Sequence, residues 1–183
     1  MDVIKTAIPG VIVVEPKRHG DVRGFFTEIY RAERYAAAGI AGPFVQDNFS
    51  RSAKGVLRGL HLQTPNPQGK LIGVMSGRIL DVMVDVRRGS PWFGKHVAVE
   101  LSGENGRQLF GPRGFAHGFV VLSDQADVFY KCDSVYSPAD EVVLAWNDPA
   151  LAIDWPVKTP QLSPRDAAGV KLSEIAQLPH YER

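Results

Sequence analysis

Eight short runs of β-branched and aromatic residues, each closed off by turn formers, constrain the fold more than any other feature of this chain. They are GVIVVEP (10–16), GFFTEIY (24–30), KLIGVM (70–75), RILDVMVDV (78–86), KHVAVELS (95–102), HGFVVLS (117–123), DVFYKCD (127–133) and EVVLAW (141–146). In RILDVMVDV, Leu80, Val82, Val84 and Val86 share one face, while Ile79 and Met83 share the other with Asp81 and Asp85, a period of two. Ser76-Gly77 supplies a tight turn before it. Gly (18) and Pro (13) make up about 17% of the 183 residues, against roughly 12% in average usage, as many turns between short strands require. Helix is scarce: RAERYAAAG (31–39), with Gly39 as its C′ residue, is one short candidate, and GVKLSEIAQ (169–177) is a weaker one. The pattern predicts a sandwich, jelly roll or barrel. With no repeat, linker or low-complexity tract, residues 1–183 read as one domain. The stretch from Asn147 to Pro164 holds four prolines and is expected to wrap the outside of the strands as an extended segment.

Composition narrows the partners. Lys plus Arg number 21 against 20 acids, a formal net charge of +1, which argues against nucleic acid but leaves room for a local basic pocket that binds a small anion. One cysteine, Cys132, excludes an intrachain disulfide and reads as a buried structural thiol. The apolar run VIVV (11–14) is far too short for a signal h-region or a membrane span, so the expectation is a cytoplasmic protein without membrane contact.

Within VLRGLHLQ (56–63), Val56, Leu60 and Leu62 suit a core, yet Arg58 and His61 stand among them. LQTPNPQG reads as a loop that returns the chain to Lys70 beside His61. An imidazole next to an ammonium on core-patterned strands is costly in a filled barrel and reasonable at an open, polar mouth. His61 alone is equally compatible with a hydrogen-bonded core histidine. Strict alternation puts Arg58 and His61 on opposite faces, but Gly59 between them offers a bulge that turns both towards a cavity.

GPRGFAHGFVVL (111–122) places Gly111, Gly114 and Gly118 around His117, a hint that backbone approaches a ligand closely. FYKCDSVY offers Tyr130 and Tyr136, for which packing with a satisfied hydroxyl is the plain alternative. GDVRGFFTE adds Arg23 and Glu28, and FVQDN adds Gln46, Asp47 and Asn48, each weak alone. A metal site would want a second histidine two residues after the first and then an acid. Position 63 is instead Gln, and Lys70 would repel a divalent cation, so no metal is expected. His19, His96 and His180 have no matching partners by spacing.

GDVRGFF, FVQDNFS, GVLRGLHLQ, QGKL, GFAHGF, YKCDSVY and WNDPALAIDWP, in this order over nearly the whole chain, closely resemble the dTDP-4-dehydrorhamnose 3,5-epimerase family. The resemblance implies an all-β, cupin-type jelly roll with a few short helices, a homodimer, and no cofactor. It implies epimerisation at C3 and C5 of dTDP-4-dehydro-6-deoxy-D-glucose, giving dTDP-4-dehydro-L-rhamnose. The family's base matches His61, its proton-donating tyrosine Tyr130, and the aspartate behind the base Asp166. Its nucleotide-sugar-binding residues map onto Arg23, Glu28, Gln46, Asp47, Asn48, Arg58, Lys70, His117 and Glu141, and its thymine-stacking tyrosine onto Tyr136. Leu62 replaces an aromatic common after the histidine, and Arg165 replaces a common lysine. A guanidinium still binds phosphate, with a planar fork in place of a point charge.

The chemistry fits these residue types. A 4-ketone acidifies C3–H and C5–H because the resulting enolate places its charge on O4. An imidazole ordinarily titrates near 6.5, suited to a base at neutral pH, and Asp166 would fix its tautomer. Lys70 would meet the enolate oxygen, Tyr130 would return a proton on the opposite face, and arginines would hold the diphosphate. A single-site epimerase, a ketoisomerase on a related sugar, and a non-catalytic sugar-nucleotide-binding cupin remain the alternatives.

Overall fold

The computed structural model describes residues 1–40 and 42–182. A six-stranded antiparallel sheet runs in the order β1 (Asp2–Lys5), β2 (Ile12–Glu15), β10 (Gln108–Gly111), β7 (Lys70–Ser76), β12 (Gln125–Cys132) and β5 (Gln46–Ala53). A five-stranded antiparallel sheet runs β13 (Glu141–Val143), β6 (Leu57–Gln63), β11 (Phe115–Val121), β8 (Arg78–Asp85) and β9 (His96–Ser102). A separate hairpin pairs β3 (Arg18–Asp21) with β4 (Gly24–Thr27). Strands adjacent in sequence repeatedly fall in different sheets, the jelly-roll arrangement that the alternating runs predict.

The period of two in β8 explains the layering. Ile79 and Met83 join Ile72, Leu109, Phe115, Phe119, Val121 and Val128 between the sheets, where they fill one end of the roll. Val82 and Val84 point the other way, with Leu57, Leu60 and Leu62 of β6, and are covered by Leu151, Trp155 and Leu172. The proline-rich segment therefore does wrap the outside, and Trp155 Nε1 donates to the Trp146 carbonyl at 2.8 Å to pin it. A third cluster lies on the outer face of the six-stranded sheet, where Tyr35 and Ile40 cover Ile12, Val14 and Leu71.

Helix α1 (Ala32–Ala37) forms where expected, and Gly39 takes φ +86° just beyond it. The segment 169–177 does not become a helix. It makes one 3-10 turn, Leu172–Glu174, because Leu172, Ile175 and Leu178 at three-residue spacing each dock onto the five-stranded sheet. A short helix α2 (Pro164–Ala167) appears instead. Its signal is Ser163-Pro164-Arg165-Asp166: a serine cap accepting from the Asp166 amide, then proline at the first helical position. No helix is long and apolar enough to cross a membrane among the described residues.

Strands β6 and β7 do not pair. The loop between them carries the chain from the five-stranded sheet to the six-stranded one, so Lys70 approaches His61 from the facing wall and not from a neighbouring strand.

Candidate active site

At the end of the roll opposite the apolar filling, the sheets part around an open cavity of about 390 Å³, within the range of small-molecule sites. Its two walls follow from strand register. On the six-stranded sheet, Gln46 pairs with Cys132 and Asn48 with Tyr130, while Cys132 pairs with Lys70 and Tyr130 with Ile72. Paired residues share a face, so Gln46, Asn48, Tyr130, Cys132 and Lys70 all look inward. Lys70 and Tyr130 are diagonal neighbours, a relation that sets them roughly 7–8 Å apart. Asp47 falls between Gln46 and Asn48, so alternation sends it to the outer face, where it binds Lys131 at 2.8 Å.

The facing wall depends on an irregularity. Between His117↔His61 and Phe119↔Arg58, β11 advances two residues while β6 advances three. The extra residue is a bulge at Gly59-Leu60, and it brings both Arg58 and His61 to the cavity. Gly59 has φ +115°, and a Cβ there would lie 2.6 Å from Gly118 Cα and from the His117 carbonyl. Only glycine fits.

His61 Nε2 lies 2.6 Å from Asp166 Oδ1. Ser163 Oγ donates to Asp166 Oδ2 at 2.8 Å. Burial pushes the Asp166 carboxyl up, but the His61 ring and these hydrogen bonds outweigh it and hold the group below the usual carboxylate range. An ionised Asp166 accepts from Nε2–H, which leaves the ring's free lone pair on Nδ1, able to accept a proton.

His117 stands beside His61 in register, and its ring centroid is 6.5 Å from that of Tyr130. Behind it, Asp81 Oδ2 lies 2.9 Å from His117 Nε2. Burial raises the Asp81 carboxyl against the pull of His117 and Lys70, and its Oδ1 has no hydrogen-bond partner among the described residues. Protein surrounds Lys70 except where it meets the cavity. This desolvation lowers its pKa, partly offset by Cys132, Glu141 and Asp81. Tyr130 is raised, chiefly by burial and then by Cys132, so its phenol stays protonated at neutral pH.

At the rim, Tyr136 Oη donates to Glu141 Oε2 at 3.1 Å, and Arg165 donates both to that hydroxyl at 3.3 Å and to Glu141. Arg58 Nε donates to Ser52 Oγ at 2.9 Å, and its guanidinium lines the same cavity. Arg23 and Glu28 lie elsewhere. Arg23 pairs with Asp21 on the exposed hairpin, and Glu28 pairs with Arg31 and Arg34. Ser50, Leu62, Gln63, Gln68, Phe119 and Cys132 also line the cavity and Asp81 supports it, none of them among the site residues expected from sequence; Cys132, expected as a purely structural thiol, faces the cavity. Ser50 follows from carrying the period of two on from Gln46 and Asn48. Asp81 is signalled by an acid on the inward face of an apolar strand.

The model of the dTDP-4-dehydrorhamnose 3,5-epimerase family matches residues 5–174. A dTDP-4-dehydrorhamnose 3,5-epimerase of Shigella flexneri is 52% identical over 93% of this chain and 96% of its own. One from Neisseria gonorrhoeae is 53% identical over 92% of this chain, which spans 52% of that longer relative. The crystal structure of dTDP-6-deoxy-D-glucose-3,5-epimerase from Legionella pneumophila, in complex with dTDP-4-keto-L-rhamnose, superposes with a TM-score of 0.97. It is 53% identical, covering 100% of this chain and 99% of that one.

Proposed function

The chain belongs to the dTDP-4-dehydrorhamnose 3,5-epimerase family, and from that premise we propose how its cavity carries the reaction. It epimerises dTDP-4-dehydro-6-deoxy-D-glucose at C3 and C5 to dTDP-4-dehydro-L-rhamnose, a step in dTDP-rhamnose biosynthesis. The observation that carries the reading is the placement of the His61–Asp166 pair on one wall and of Tyr130 and Lys70 on the other.

His61 Nδ1 takes the proton from C3 or C5, and Asp166 stabilises the imidazolium. The electron pair moves into the enolate, whose charge on O4 meets the Lys70 ammonium. Tyr130 then delivers a proton to the carbon from the opposite side, so the centre inverts. Its phenolate regains a proton readily because burial disfavours the charged form. Inversion needs acid and base on different faces of the ring, and two walls of a barrel supply that. Arg58 and Arg165 bind the diphosphate, Tyr136 stacks on thymine, and Gln46, Asn48, His117 and Glu141 line the remaining contacts.

The functional unit is a homodimer. The hairpin β3–β4 projects Val22, Phe25 and Phe26 into solvent, Phe26 at 71% exposure, which a second copy would cover. Arg23 and Glu28 do not line the chain's own cavity, and a dimer would carry them to the partner's.

Proton NMR of the substrate turned over in D₂O tests the chemistry. Deuterium at both C3 and C5 is expected. Label at one carbon only would mark a single-site epimerase, and no label would mark a binding protein.

A further inference from the structure

The loop that carries Tyr136 is held by three glutamines. Gln68 Nε2 donates to the Ser134 carbonyl at 2.7 Å, and Gln46 Oε1 accepts the Tyr136 amide at 2.8 Å. Gln63 does more. Its Oε1 accepts the Ser137 amide at 2.8 Å, and its Nε2 donates to the Asn66 carbonyl at 3.0 Å, with a longer approach of 3.5 Å to the Val135 carbonyl. Gln63 is 3% exposed, and an apolar side chain there would take this side-chain partner away from all three groups.

Two features give this clasp a consequence for binding. Tyr136 is 40% exposed on an irregular loop, where an unrestrained aromatic would lose rotamer freedom on meeting a ligand. Gln46 and Gln63 fix the backbone on either side of it, while Glu141 and Arg165 fix its hydroxyl. Gln63 also sits two residues after His61 on β6, so both side chains reach the same cavity from one strand.

We infer that Gln63 is a positioning residue for nucleotide recognition: by gripping the backbone beside Tyr136 it sets the ring in place before the base arrives. This rests on the reading of Tyr136 as the thymine platform. Both ends of the Gln63 amide are engaged by the loop. Its contribution is therefore to affinity for the thymidine half of the substrate and passes entirely through Tyr136.

The test uses Gln63→Met, Tyr136→Leu and the double variant, with affinities for dTDP and for inorganic pyrophosphate measured by calorimetry. Gln63→Met should weaken dTDP about tenfold, within the range that base–aromatic stacking commands. Pyrophosphate affinity and kcat should hold while KM rises. In the double variant the dTDP loss should equal that of Tyr136→Leu alone, because two residues acting through one ring are not additive. Additive losses, an equal loss of pyrophosphate affinity, or a fall in kcat would overturn the inference. So would an unchanged dTDP affinity in Gln63→Met where Tyr136→Leu weakens it. Unchanged dTDP affinity in Tyr136→Leu would instead sink the platform reading, and the clasp with it. If Gln63→Met does not fold, Gln63→Glu takes its place: it keeps the acceptor for Ser137 and loses the donor. A smaller loss confined to dTDP is then expected, and wild-type affinity would count against the clasp.

Discussion

The fold disfavours the charged form of Lys70. Desolvation lowers its pKa further than Cys132, Glu141 and Asp81 can restore it, so the folded value lies below the unfolded one of about 10.4. With that sign, the penalty is present in full below the folded value. It is relieved as pH rises through it, because the unfolded chain then binds the extra proton. Lys70→Met should consequently raise Tm at neutral pH, by about 2–4 °C for each kcal/mol of relieved burial. The same substitution should cut kcat by about 10²–10³, the usual worth of one oxyanion partner. A stable variant with wild-type kcat would remove Lys70 from the chemistry. The pH profile separates the charge from the shape. In the wild type, kcat should decline on the alkaline side below the ordinary lysine range. In Lys70→Arg, whose guanidinium does not titrate there, whatever activity survives should persist to higher pH. Coincident alkaline limbs would assign the titration to another group.

The strand β6 shows what a single irregular element contributes. Regular alternation would set Arg58 and His61 on opposite faces, and the bulge at Gly59 is what gathers them. Gly59→Ala should cost roughly 2–4 kcal/mol by denaturant unfolding, through strain at positive φ and the clash with β11. Activity should fall even where the variant remains folded. Wild-type stability would mean the bulge can be rebuilt without glycine. This element was legible in advance because polar groups on an apolar strand stand out, and Gly59 marked the place. Strand β5 was not: QDNFSRSA carries none of the β-branched residues that signal a strand, and its inward face is polar because it lines the cavity. The same blindness hid Gln63, since a buried glutamine is defined by backbone carbonyls and amides that only the folded loops bring to it. Asp47 shows the converse error. Three polar residues in a row looked like one cluster, and the pleat divides them between two faces.

At the scale of the whole molecule, the roll is filled at one end and open at the other. Arg18 anchors the base of the β3–β4 hairpin through the Gly103 and Glu104 carbonyls, at 2.6 and 2.5 Å, so the hairpin is a fixed arm and its apolar tip is presented to solvent. A solvated monomer gains nothing from three exposed apolar side chains on such an arm; a symmetric pair buries them twice. If the arm carries Arg23 into the partner's cavity, then His61 and Arg23 that serve one substrate belong to different chains. Mixing His61→Ala with Arg23→Ala subunits, unfolding and refolding them together, tests this directly. In a mixed dimer one cavity then receives both defects and the other receives neither. Random reassortment makes about half the dimers mixed, each with one intact site, so activity should recover to about one quarter of wild type at subsaturating substrate. If both residues serve the same chain's cavity, every site in the mixture carries one lesion, and refolding together restores nothing beyond the average of the two parents.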